Sequence, residues 1–215
     1  MLTAEVRGSR RPRRAASVAE AAPPTWRVTP RAAALATVLL GTPPTVVALA
    51  RSRPVTFGAL SVLALALGAA LGWAAEDPAA EVLAPMPVST PVRTVLRIVG
   101  VSTVTAPVAI GDLLLASAGQ RSLPEDWLDL APLLGASAAL ALAGGLVAAR
   151  RGERIVGPIG VATGLGGILV VAALAYRWPD VLPSLAPGPH HDRWWAIAAV
   201  AAVVAVHAGR DPANR

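Results

Sequence analysis

The chain has 215 residues, 54% of them hydrophobic and only 15% charged, with a mean hydropathy of +0.57. A soluble domain carries roughly 25% charged residues, so the composition argues against a large water-soluble core and for one membrane domain. All 19 basic residues are arginine, a bias expected of a GC-rich genome, and the absence of cysteine excludes disulfides, thiolate nucleophiles and cysteine-ligated metals.

The formal net charge is +6. In a soluble protein that excess would point to nucleic acid. Here the arginines sit beside apolar runs and in the N-terminal segment, so the expected partners are anionic lipid headgroups and no nucleic acid. Residues 1–31 read as an uncleaved cytoplasmic tail carrying Arg7, Arg10, Arg11, Arg13, Arg14, Arg27 and Arg31, with Pro12, Pro23, Pro24 and Pro30 arguing against one long helix. The stretch 18–28, with Trp26, suits the membrane surface.

Six apolar runs follow, at 32–50, 55–75, 98–118, 128–149, 155–176 and 194–209. Each is about long enough to cross a hydrocarbon core of roughly 30 Å at 1.5 Å per residue. The expected fold is therefore all-α: a six-helix membrane bundle over residues 32–209, with a short cytoplasmic C-terminus at 210–215. Pro43-Pro44 interrupts the first run and Pro107 the third, breaks tolerated where neighbouring helices or water satisfy the freed carbonyls. Trp194-Trp195 opens the last run at the level of a headgroup anchor.

Counting arginine on alternate sides sets the orientation. With both termini inside, the inner segments hold fourteen arginines and the outer ones only Arg51, Arg53, Arg121, Arg177 and Arg193. The positive-inside rule then predicts a multi-pass plasma-membrane protein with N-in and C-in topology. The longest inner connector, 76–97, opens Glu76-Asp77-Pro78-Ala79-Ala80-Glu81. Asp77 as N-cap, Pro78 as first helical residue and Glu81 near the positive helix end predict a short amphipathic helix over 78–84. An irregular proline-rich stretch should follow through Pro91, and the outer loop 177–193 should lack regular structure.

The run from Trp73 through Glu81, the Pro- and Ser-containing stretch after it, and Arg93 and Arg97 make this loop the one local motif of a resemblance. The chain resembles the membrane permeases of ABC-2-type ABC transporters, and in particular small actinobacterial proteins grouped with them. They share a cytoplasmic segment before the first span and a cytoplasmic coupling helix between spans two and three. The resemblance implies a permease subunit of an exporter, a separate ATPase chain, and a second permease subunit forming a homo- or heterodimer. It implies that Glu76, Asp77, Glu81, Arg93 and Arg97 dock the ATPase. A chain without lysine has no Gly-x-x-x-x-Gly-Lys-Ser/Thr phosphate loop of its own, in keeping with that division of labour. The short loops and lack of an extracellular domain depart from the family.

Each polar feature also has a plain alternative. Glu76, Asp77 and Glu81 equally describe a solvated, well-capped helix start. Asp112 is the only acid deep within a run, where a charge costs roughly 2.5–3.5 kcal/mol; it should face the bundle interior, line a path, or lie near the outer interface. His207 sits near the inner end of the last run, and one histidine cannot supply a bis-histidine haem site. His190, His191 and Asp192 form an incomplete metal-ligand trio whose default is a solvated loop, and no cofactor or metal is expected. Gly68-x-x-x-Gly72 and Gly160-x-x-x-Gly164 allow close helix approach within the subunit or across a dimer. Standard enzyme fingerprints are absent, so the chain should not be an enzyme by itself. The alternative function is a non-catalytic membrane scaffold binding lipid or a partner through the arginine-rich tail. A membrane enzyme using Asp112 and His207 ranks last.

Overall fold

Runs of alanine, leucine, valine and glycine bury backbone polar groups in the only way open to one segment in lipid, by helix formation. The computed structural model describes residues 30–51, 55–76, 90–120, 129–185 and 190–210, and within them the chain is helical without a strand. The expectations for the tail before residue 30, for a helix over 78–84 and for the C-terminus beyond 210 lie outside the described residues, as do Asp77 and Glu81.

In chain order the helices are α1 (Arg31–Leu39), α2 (Pro43–Ala50), α3 (Phe57–Ala70, extended by a 3-10 turn Leu71–Ala75), α4 (Thr90–Gln120), α5 (Leu130–Arg150), α6 (Val156–Arg177) and α7 (Trp194–Gly209). Four stretches are long and apolar enough to cross a membrane: Phe57–Ala75, Pro91–Ser117, Leu130–Arg150 and Val156–Arg177. A fifth arises if α1 and α2, bent by 42° at their junction, form one broken span. The bend falls where Pro43 and Pro44 remove two N–H donors and Thr42 turns its hydroxyl back to the Leu39 carbonyl at 2.9 Å. The sixth expected span is α7, whose 16 residues reach about 24 Å, short of a full core.

The third span differs most from expectation. Helix α4 begins at Thr90, eight residues before the apolar run, and the proline-rich stretch ends there because Pro91 fits the first turn of a helix. Its 31 residues extend about 46 Å, so it overshoots a hydrocarbon core. Pro107 lies exposed within it.

The helices alternate in direction, and this collects charge at one end. Of the described arginines, Arg31, Arg93, Arg97, Arg150, Arg151, Arg154 and Arg210 share that end, and Arg51, Arg177 and Arg193 lie at the other. Helix α5 is the hub, packed against α3, α6 and α7, while α1 and α4 pack around α3. Helices α4 and α5 barely touch each other.

The two glycine stripes meet inside the subunit. A Cβ on Gly72 would lie 2.6 Å from the Val161 nitrogen and 2.7 Å from the Gly160 carbonyl carbon. One on Gly164 would come within 3.3 Å of Ala69 Cα. Gly72, Gly160 and Gly164 thus pack within the subunit and join α3 to α6, while Gly68 faces α5, where an added Cβ would lie 2.7 Å from Ser137 Cβ. Ser137 adds an interhelical hydrogen bond, donating to the Leu65 carbonyl at 3.0 Å.

Candidate functional site at the arginine-rich end

The last turn of a helix leaves carbonyls without N–H partners, and a cation there also meets the negative end of the helix dipole. Arg97 supplies that cation. It is 2% exposed, and its Nη1 donates to the carbonyls of Ala74 at 3.2 Å and Glu76 at 2.9 Å, with Ala75 at the 3.5 Å limit. The guanidinium thus closes the end of α3 from the first third of α4. The residues between those two anchors, 77–96, make up nearly all of the connector 76–97 that the sequence singles out.

Around this clamp, Trp73 Nε1 donates to Thr37 Oγ1 at 3.0 Å, and the Thr37 hydroxyl donates in turn to the Ala33 carbonyl at 2.9 Å. The same turn of α3 is thereby held to α1. Gly157, the second residue of α6, faces the cluster: a Cβ there would meet Trp73 Cε3 at 2.3 Å and Glu76 Oε2 at 2.4 Å. Glu76 therefore rests its half-buried carboxylate at the positive start of α6, with Oε2 buried and lacking a hydrogen-bond partner. Two helix ends meet here, and each faces the opposite charge. Arg97 grips the main chain of Glu76, through its carbonyl.

The residues singled out from the sequence divide as follows. Glu76 and Arg97 come together, with Arg97 turned inward, and Arg93 is half-buried one turn earlier on α4. Asp112 lies 15 residues beyond Arg97, about 22 Å along the helix, towards the other end. It is 6% exposed, and its Oδ2 has no hydrogen-bond partner. Thr45 on α2 is fully buried with its Oγ1 in the same condition. Val38 packs with Val101 nearer the arginine-rich end, and Ala48 and Leu49 join the cluster of Ala116 and Leu113 nearer the other. Thr45 and Asp112 thus occupy neighbouring levels of parallel elements. His207 is exposed on α7 near the arginine-rich end, so it and Asp112 sit at different depths.

After α6 the described residues 178–185 and 190 form turns without regular structure, followed by a 3-10 turn His191–Arg193, yet several side chains there are anchored. His191 is 3% exposed, its Nε2 meets the Asp129 carbonyl, and its ring stands edge-on to Phe57 with centroids 5.8 Å apart. Trp194 is fully buried and donates from Nε1 to the Ser184 carbonyl at 3.0 Å, while Arg193 donates to the Asp180 carbonyl. His191 thus acts as packing and pins α7 to the start of α5. Among the described residues no three His, Cys, Asp or Glu side chains are grouped to hold a metal ion.

Sequence reasoning did not find the inward role of Arg97 or the Trp73–Thr37 bond. An arginine eight residues inside a helix-compatible run, facing the end of the preceding helix, was the available signal for the first. No family model, curated protein or solved structure matches the chain. The described fold is thus an all-helical bundle with four to five candidate membrane-spanning helices.

Proposed function

We propose that the chain is a permease-like membrane subunit of an ABC-type exporter, driven by a separate ATPase through the connector 76–97. The observation that supports this reading is the Arg97 clamp. It lashes together the two helices that the connector joins, and Trp73 ties the same turn to α1. A push on the connector would therefore act on α1, α3 and α4 as a unit rather than be absorbed by slack at a helix end.

In this reading α1–α2 form one broken span and α7 the sixth, both termini are cytoplasmic, and a second permease copy or a related chain completes the pathway. The chain has no cysteine, so single introduced cysteines report topology without background. Residues 51 and 177 should react with an impermeant maleimide from outside, and residues 151 and 210 only after permeabilisation. Affinity purification in mild detergent should recover a nucleotide-binding subunit, and Glu81→Arg should release it while leaving the protein folded. Survival of that association in Glu81→Arg would remove the docking role.

A second reading is a non-catalytic scaffold. It would hold lipid or an acidic partner through the arginine-rich tail, and the exposed side chains of Arg150, Arg151, Arg154 and Arg210 favour it by adding a basic surface of their own. Deletion of residues 1–29 should then abolish function without affecting insertion, and a silent deletion would remove this reading.

A further inference from the structure

Where α4 stands away from α5, an apolar groove of about 500 Å³ opens between α4, α5 and α7. Its walls include small residues, among them Gly135, Ala138, Ala202 and Gly209, and Arg210 lines its mouth. We propose that this groove is a specific site for one anionic phospholipid, holding an acyl chain along α5 and a phosphate headgroup at the arginines of the mouth.

Two observations carry the proposal. The first is charge. Arg150 Nη2 donates to the Arg210 carbonyl at 2.7 Å, which brings a second arginine to the mouth, and both side chains are exposed. An arginine near the membrane surface contributes to anionic-lipid binding, and a guanidinium matches phosphate oxygens.

The second is depth. From Leu146 to Gly135 the groove follows 11 residues of α5, about 16 Å at 1.5 Å per residue and half of a 30 Å core. That is the depth of one leaflet. The groove is thus a slot with a charged mouth and an apolar interior, shaped for one acyl chain of a phospholipid whose headgroup sits at the arginines. A second copy of this protein would have to place an apolar helix against arginines.

The test uses the full chain in detergent, with phosphatidylglycerol and phosphatidylcholine as probes and native mass spectrometry as readout. Phosphatidylglycerol should stay bound one per chain under conditions that strip phosphatidylcholine. Arg150→Gln and Arg210→Gln should each weaken its retention about fivefold, and the pair about thirtyfold. Ala202→Phe, at an exposed position on the groove wall, should displace it with the thermal unfolding temperature unchanged. Equal retention of the two lipids overturns the proposal, as does indifference to the arginine pair. Loss in the arginine variants with full retention in Ala202→Phe overturns the groove as the site. A lipid-free dimer that cross-links through position 202 overturns it in favour of a second copy.

Discussion

Replacing Arg97 by methionine tests the clamp most directly. The guanidinium makes two good hydrogen bonds from Nη1, at 2.9 and 3.2 Å, with a third carbonyl at the 3.5 Å limit that we leave out. A hydrogen bond from a charged donor contributes about 1.5–3 kcal/mol net. Against this stands the cost of keeping a buried cation, several kcal/mol for an unpaired ion, which an apolar side chain relieves. The carbonyls decide the sign, because methionine takes this donor from them. Taking the low end for two bonds gives a loss of about 3 kcal/mol, more than a hundredfold in the unfolding equilibrium. Glu76→Gln is the control. Arg97 grips the main chain of Glu76, so the variant should forfeit only a helix-end interaction, about 0.3–1 kcal/mol. Titration from mild detergent into sodium dodecyl sulfate, followed by far-ultraviolet circular dichroism, ranks the two. If Arg97→Met unfolds at the wild-type midpoint, or no earlier than Glu76→Gln, the clamp carries no stability and the reasoning fails.

Gly72→Ala should lower the same midpoint by the equivalent of about 1–3 kcal/mol, since its new methyl would meet backbone of α6 at 2.6 Å. Gly166→Ala, with nothing within 4 Å, should leave the midpoint unchanged or raise it, and a loss equal to that of Gly72→Ala would refute the packing argument. Ser137→Ala removes one interhelical bond and should cost only about 0.6 kcal/mol, the usual scale for such bonds in lipid; a loss several times larger would show that the bond anchors α3 to α5 more strongly than most. Asp112→Asn should leave the unfolding midpoint unchanged or raised, because the Oδ2 it replaces accepts no hydrogen bond. Should the protein transport a substrate, a fall in that activity at unchanged midpoint would assign Asp112 a working role, and unchanged activity would leave it structural.

The apolar runs make most of the helices legible from the sequence. Hydropathy locates where lipid begins rather than where a helix begins, which is why α4 starts at Thr90 and not at Ile98. Arg97 escaped for the same reason: beside an apolar run it reads as a headgroup arginine, and only the return of α3 to the same level gives it carbonyls to close. The glycine stripes were visible but undirected, since spacing marks a face and not its neighbour; only the fold pairs Gly72 with Gly160. His191 was misleading in a further way. A Pro-, Gly- and His-rich segment looks solvated, yet the imidazole is enclosed between Phe57 and the Asp129 carbonyl.

The clamp also imposes an order on synthesis. The carbonyls of residues 74 and 76 precede their donor by 23 and 21 residues, which the ribosome adds in about 1–4 s. Through that interval the end of α3 reaches the translocon with carbonyls awaiting a partner, and α1 alone can hold it through Trp73 and Thr37. The first half of the chain is therefore complete as a folded unit only when the start of α4 emerges. A nascent chain halted before Arg97 leaves the ribosome should be held by the insertion machinery and handed to quality control, whereas one halted after Arg97 has emerged can already close its third helix.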